Sequence, residues 1–199
     1  MPLNSRVCDA ESVSKYTAQL LYDWFTRSQR VLPWRSEPTP YRVWISEIML
    51  QQTQVVTVIP YFEKFIARFP SVEILAASSQ DDVLLHWAGL GYYSRARNLH
   101  KGALAIVARG GFPHSLEEWL EIPGVGPYTA GAISSIASNQ PEPILDGNVE
   151  RVLSRVFRIN RAGGDARYKA RLWWLSGRGV RRALKQGVPP RDFNQALME

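Results

Sequence analysis

The sequence predicts an all-α fold. Apolar residues recur every three to four positions through most of the chain, the spacing of amphipathic helices. Residues that start and stop helices bracket these runs, Ser79, Ser115 and Asp146 before them and Gly110-Gly111 after one. No alternating stretch closed by a two-residue turn announces a β-hairpin, and no internal repeat is present.

Taken in order, Glu11 to Gln29 reads as an amphipathic helix with a stripe of Tyr16, Leu20, Leu21, Trp24 and Phe25. Leu32-Pro33-Trp34-Arg35 and Glu37-Pro38-Thr39-Pro40 form a proline-punctuated loop. One helix is expected over Tyr41 to Thr57, a second from Pro60 to Phe69 and a short third over residues 72–76. Ser79 caps a helix from Val83 to Leu90, with Asp81 and Asp82 acidic in its first turn. Residues 89–93 turn the chain into a helix from Ser94 to Arg109. Ser115 caps residues 116–120, with Glu118 as its capping-box partner. Further helices are expected over Pro127 to Ser138, Gly147 to Ile159 and much of Tyr168 to Leu184. The last begins near Phe193; about two turns long, it is too short to persist in water by itself, so its end is expected to fray.

The segment Leu120-Glu121-Ile122-Pro123-Gly124-Val125-Gly126-Pro127-Tyr128-Thr129 joins two of these helices. Ile122 and Val125 can anchor the turn, and Gly124 and Gly126 permit left-handed backbone and close approach of a ligand. Pro127 opens the next helix where a missing N–H costs nothing. The first-turn N–H groups of such a helix attract an anion, so Gly124, Val125, Gly126 and Thr129 form a candidate phosphate clamp, a helix-hairpin-helix.

The 199 residues suffice for one large or two small domains, and 45% hydrophobic composition with seven Trp can fill a substantial core. The net charge of +6 is uneven: residues 1–139 carry 12 basic and 12 acidic groups, residues 140–199 carry 12 and 6. A basic final third suits a polyanion or a solvated surface, and the phosphate clamp favours the polyanion. The polar N-terminus lacks an apolar signal-peptide centre and no run has membrane-span length. A cytoplasmic monomer with no membrane partner is expected. Cys8 is the sole cysteine, excluding an intramolecular disulfide, and His86, His100 and His114 lack ligand spacing, so no metal site is assigned.

Two carboxylates are candidates for chemistry. Glu47 neighbours Val43, Trp44 and Leu50 on its helix, where partial desolvation would favour the protonated form that a general acid needs. The same spacing describes a glutamate at the stripe's edge reaching solvent, and spacing alone favours that reading. Asp146 precedes a helix with Val149, Val152, Leu153 and Val156 in register, so it reads as an N-cap; after Ile144 and Leu145 it also suits the floor of a cleft. An acid paired with an anion is the arrangement that breaks glycosidic bonds through an oxocarbenium-like state. Gln51-Gln52-Thr53-Gln54 can cap and turn, or enter a base stack. Tyr92 and Tyr93 pack between helices, or with Arg95 and Arg97 stack on bases and hold phosphates.

Several of these stretches together resemble a known family. Leu32-Pro33-Trp34-Arg35, Pro40 through Gln54, Gly89 through His100, the hairpin, and Leu145-Asp146-Gly147-Asn148-Val149 are similar in order to the MutY-type adenine DNA glycosylases of the helix-hairpin-helix base-excision superfamily. The resemblance runs from about Tyr16 to Ile159 and returns at Phe193-Asn194-Gln195-Ala196-Leu197. It implies a DNA glycosylase fold of two helical lobes, residues 31–140 and residues 1–30 with 141–199, with the active site in the cleft between them. Glu47 then matches the acid that protonates a flipped adenine at its imidazole nitrogen. Asp146 matches the carboxylate that stabilises or briefly bonds the sugar cation, with Tyr128 and Asn148 supporting it. Arg30, Trp34, Leu50 and Gln195 match positions around the extruded base, and Gln52 and Tyr92 match residues that fill or wedge the stack.

The lyase relatives of the endonuclease III type carry a lysine where this chain has Tyr128, so base release by hydrolysis with an intact strand is implied. The implied partner is double-stranded DNA holding adenine opposite 8-oxoguanine or guanine. The family's four-cysteine [4Fe-4S] loop and its domain reading 8-oxoguanine would follow Phe193 to Leu197, and the sequence stops at Glu199. No cofactor is therefore expected on these residues, and weak activity is expected of them alone. Residues 162–190 match the family loosely and are unusually basic at Arg178, Arg181, Arg182 and Lys185. A mismatch thymine glycosylase and a DNA-binding fragment without full activity are the alternatives; the first lacks a use for Glu47, since a pyrimidine has no imidazole nitrogen.

Overall fold

The computed structural model describes residues 10–160 and 165–199, with side chains from Ala18 onward in the first helix. The described residues form helices and connecting turns only: α1 Ala10–Ser28, α2 Pro40–Leu50, α3 Val55–Arg68, α4 Val72–Ala77, α5 Gln80–Trp87, α6 Ser94–Ala108, α7 Leu116–Leu120, α8 Pro127–Ile136, α9 Gly147–Val156, α10 Asp165–Lys185 and α11 Pro190–Met198. Two compact units result, one of residues 31–140 and one of residues 1–30 with 141–199. Cys8 and the side chain of Tyr16 lie outside the described residues. Among the described residues no helix is long and apolar enough to cross a membrane.

In the unit of residues 31–140, α2 is the central element and packs against α3, α6 and α8. Val43, Trp44, Ile45, Ile48 and Met49 are all buried, so the helix is apolar almost all round, as a core helix must be. Thr39 starts it by accepting from Arg42 N at 3.3 Å, with Pro40 in the first turn. Aromatic rings fill the space around it: Trp44 meets Trp119 at 6.3 Å, and Phe65 meets Phe69 at 4.7 Å and Trp87 at 6.1 Å. Gly102 on α6 lets Trp44 and Ile122 close in; an added Cβ would sit 2.8 Å from the Trp44 ring.

Local signals place several boundaries correctly. Ser71, Ser79 and Ser115 each accept from the backbone N–H three residues on. The expected box at Ser115 is offset, for Glu118 reaches back one residue further, its Oε2 accepting from His114 N at 2.8 Å. Two expectations are corrected. The helix expected over Tyr41 to Thr57 stops at Leu50, because Gln52 takes a left-handed φ of 57° and α3 starts afresh at Val55. Pro60 lies inside α3 rather than opening a helix. The carbonyl that its missing N–H would have met belongs to Val56, which is solvent-exposed and can bond water instead.

In the other unit, α1 and α9 each pack against α10 and α11. Ala18, Val180, Ala183, Val188 and Phe193 form one core cluster, with Leu21, Tyr22 and Leu197 packed against it. The buried stripe of α1 thus differs in part from the expected one: Phe25 is buried as expected, but Leu20 and Trp24 are exposed and Ala18 is buried. On α9, Val149 and Leu153 are buried and Val152 and Val156 exposed. Helix α11 does not fray as its length suggests, since Phe193, Asn194, Gln195 and Ala196 are buried by α1 and α10. Gly179 helps, holding α10 close enough that the Phe193 ring would lie 3.2 Å from an added Cβ.

Candidate active site

Glu47 sits in the middle of α2 with only 6% of its surface exposed. Its Oε2 accepts a hydrogen bond from the Tyr128 hydroxyl at 2.8 Å. Burial rather than escape to solvent is therefore the outcome for Glu47, and a buried carboxylate requires such a donor. The family resemblance places Tyr128 in support of Asp146; this hydrogen bond gives it a direct part in the environment of the acid. Gln51, the C-cap of α2, donates from Nε2 to Thr129 Oγ1 at 3.4 Å and so joins the end of α2 to the start of α8. Thr129 is buried, and its hydroxyl faces this contact, which leaves its backbone amide for any role in the clamp.

The clamp itself follows from the hairpin. Ile122 and Val125 are buried and pin the turn between α7 and α8. Its two glycines serve different ends. Gly124 has φ +82°, and an added Cβ would lie 2.7 Å from Asn98 Cβ, so the chain's own packing demands glycine there. Gly126 has an ordinary φ of −99° and nothing within 4 Å of an added Cβ, so the protein's own packing does not. It is the N-cap of α8, no side chain caps that helix, and Pro127 follows.

Trp34 is buried and packs edge-on against Phe62 at 5.3 Å, a core position. Leu50 is half-buried at the last turn of α2. Gln52 and Tyr92 are both exposed and both left-handed, at φ 57° and 48°. Arg95, grouped above with phosphate-holding cations, is instead only 9% exposed. Burial lowers its pKa, against a smaller opposing effect of Tyr92, and backbone oxygens take the place of its lost water. Arg97 remains exposed.

Asp146 lies in the other unit. Of its two readings the structure shows the cap: Asp146 is the N-cap of α9, with Oδ1 accepting from Val149 N at 2.7 Å, and it is half-buried. Oδ2 accepts from Asn148 Nδ2 at 3.1 Å, so the structure brings these two together. The segment leading to Asp146 has no regular structure, and two side chains that sequence reasoning missed hold it. The Ser176 hydroxyl on α10 accepts from Ile144 N at 3.1 Å and donates to Ile144 O at 2.6 Å. Asn194 on α11 donates to Glu142 O at 2.9 Å. Asn194 stands in the motif Phe193-Asn194-Gln195, which was the available signal; Ser176 had none. Gln195 is buried on α11. Arg30 is engaged by Glu199, its backbone N and Nε both 2.8 Å from Oε1.

No group of three or more His, Cys, Asp or Glu side chains among the described residues is placed to hold a metal ion, and the chain has one cysteine. A cluster needing four thiolates does not fit these residues.

A helical fold with a glycine hairpin, an acid buried with a tyrosine and a capped aspartate defines a class. The profile of the HhH-GPD superfamily base excision DNA repair proteins matches residues 45–176, and the chain belongs to that superfamily. It is 44% identical over 184 residues to the adenine DNA glycosylase of Buchnera aphidicola subsp. Baizongia pistaciae, covering 91% of this chain and 50% of that protein. To the adenine DNA glycosylase of Homo sapiens it is 42% identical over 202 residues, covering 96% and 36%. The chain thus spans about half the length, or less, of these curated relatives. Among solved structures it is similar to a thermostable thymine-DNA glycosylase, with a TM-score of 0.81 and 26% identity over 94% of this chain and 85% of the other. A trapped endonuclease III–DNA covalent intermediate, at TM-score 0.66 and 20% identity, shares the fold, covering 91% of this chain and 79% of that one.

Proposed function

We propose that the chain excises adenine from duplex DNA by hydrolysing its N-glycosidic bond, with 8-oxoguanine or guanine opposite. The buried Glu47 with its hydrogen bond from the half-buried Tyr128 carries this reading. With Tyr128 donating to Oε2 to hold the carboxyl group in place, a proton held by Glu47 passes to the imidazole nitrogen of an extruded adenine. The C1′–N9 bond then breaks, and its electron pair leaves with the neutral base. Asp146, steadied by Val149 N and Asn148, offsets the charge on the sugar until water adds at C1′ and releases a proton. A tyrosine at position 128 supplies no amine for a Schiff base, so the strand stays intact. Gly124, Val125, Gly126 and the Thr129 amide would hold a phosphate, and Trp34, Leu50, Arg30 and Gln195 are each candidates for a contact with the base. The relatives named for adenine, at 42–44% identity, support this reading over the thymine enzyme at 26%.

The test is single-turnover base release from duplexes holding adenine opposite 8-oxoguanine, adenine opposite guanine, and thymine opposite guanine. Adenine release, lowered roughly 100- to 10,000-fold by Glu47→Gln with duplex binding retained, is expected of a general acid. Thymine release, or adenine release that Glu47→Gln leaves within a few-fold, would overturn the assignment.

A further inference from the structure

Gln52 and Tyr92 lie on separate turns, the first after α2 and the second before α6. Both hold backbone conformations that L-residues rarely adopt, and both expose their side chains; Tyr92 is 60% exposed. Such conformations persist only where surrounding contacts impose them. The side chain of Arg95 makes those contacts for both turns. Its Nη1 donates to the carbonyls of Ile48 and Met49, each at 2.9 Å, and to the carbonyl of Gln51. Its Nη2 donates to Thr53 Oγ1 at 3.2 Å, Leu90 O at 3.2 Å and Gly91 O at 3.4 Å. Gln52 is thus flanked on both sides by bonded residues, and the two carbonyls preceding Tyr92 are both held. The backbone closes the second turn, Arg95 N donating to Tyr92 O at 2.9 Å, and Trp87 Nε1 donates to Gly91 O at 3.1 Å. The guanidinium also lies 5.4 Å from the Tyr92 ring centroid.

We propose that Arg95 is a positioning residue that locks the Gln52 and Tyr92 tips into one rigid pair, so that the wedge entering the base stack is formed before DNA arrives. This rests on the reading of the chain as a base-extruding glycosylase. A planar fork is needed, since only two nitrogens at fixed spacing can serve two turns at once; a lysine ammonium reaches one. Because the same fork gathers carbonyls at the C-terminal end of α2, the wedge is registered to the helix that carries Glu47.

The test combines Arg95→Lys with Gln52→Ala/Tyr92→Ala and their triple combination. Single-turnover adenine release is followed alongside fluorescence of 2-aminopurine placed at the target position. Arg95→Lys should slow release about 10- to 100-fold, the loss expected of misplaced positioning groups, and should weaken the fluorescence rise on binding. Adding it to the Gln52/Tyr92 double variant should cost less than about threefold more, because the tips it positions are gone. Thr53→Val, a milder cut at the same guanidinium, should repeat the pattern at smaller size and serves if Arg95→Lys does not fold. Losses that multiply in the triple variant, or an Arg95→Lys enzyme within about threefold of the parent, would overturn the proposal. A parent chain that binds duplex but gives neither adenine release nor a fluorescence rise would overturn the glycosylase reading itself. If the parent raises fluorescence without release, a weaker rise in Arg95→Lys supports the proposal and an unchanged rise overturns it.

Discussion

Removing the Tyr128 hydroxyl should destabilise the protein by an amount that reports the state of Glu47. The hydroxyl lies 2.8 Å from Oε2 of Glu47, a residue only 6% exposed. Loss of a hydrogen bond to a buried charged group costs about 1.5–3 kcal/mol, and loss of one between neutral groups about 0.5–1.5 kcal/mol. Tyr128→Phe is therefore expected to lower the unfolding free energy by about 1.5–3 kcal/mol if Glu47 is a carboxylate in the resting protein. For a chain of this size that corresponds to roughly 3–12 °C in Tm. Glu47→Gln keeps an acceptor oxygen but removes the charge, so in that background Tyr128→Phe should cost only about 0.5–1.5 kcal/mol. Urea unfolding of the four proteins, with equal m values, gives the coupling directly. A Tyr128→Phe penalty below about 0.5 kcal/mol in the parent would mean that the hydroxyl does not hold a buried carboxylate.

The two hairpin glycines should separate folding from binding. Gly124→Ala forces a side chain into a left-handed conformation and against Asn98, and should cost about 2 kcal/mol or more in unfolding experiments. Gly126→Ala should leave stability within about 0.5 kcal/mol, yet weaken duplex binding about tenfold by occupying the phosphate's approach; unchanged affinity would remove Gly126 from the clamp. Tyr128→Lys places an amine beside the reacting sugar, so strand cleavage and a borohydride-trapped protein–DNA adduct should appear, and an equal adduct in the parent would show another amine at work. Neutralising Arg178, Arg181 and Arg182 on α10, where Arg178 already stacks on Trp174 at 5.2 Å, should reduce the log–log salt slope of DNA binding by about one for each phosphate these cations neutralise. An unchanged slope would make this a solvated face.

What the sequence reveals is what short-range chemistry decides. Ser79 and Ser115 cap the helices that follow them, and Gly110 and Gly111 end α6 at positive φ, because each signal acts within four residues. The break after Leu50 is only half legible, for the opposite reason. The polar run Gln51 to Gln54 can turn the chain, but the Gln51 carbonyl is bonded by Arg95, 44 positions away, and nothing in residues 41–57 foretells that partner. The burial of Glu47 is likewise undecided by spacing, since the i−4, i−3 and i+3 pattern describes a stripe's edge as well as its centre. The outcome depends on what packs around α2, and the hydrogen-bond donor to Glu47, Tyr128, lies 81 positions on. Length alone misjudges the last helix because its stability comes from packing against α1 and α10, with Phe193 and Leu197 beside Ala18, Val180 and Ala183, not from its own hydrogen bonds. Motif order supplies the candidate residues of the site; their pairing comes from tertiary structure.

The positioning of Asp146 shows why such pairings concentrate in irregular segments. A helix satisfies its own backbone, so a residue on it needs only a stable helix to be aimed. The segment before Asp146 has no helix or sheet partner, yet Ile144 is fully buried, and a buried N–H and C=O left unpaired would each cost about 1–3 kcal/mol. One Ser176 hydroxyl answers both groups, accepting from the first and donating to the second, and Asn194 takes the carbonyl two residues earlier. The segment is thereby fixed to α10 and α11 immediately before the carboxylate that caps α9. Apolar packing alone could bury Ile144, but it is non-directional and would not fix the orientation of the chain leaving it. Ser176 and Asn194, both buried at the cost that burying polar groups carries, convert that burial into a defined direction for Asp146.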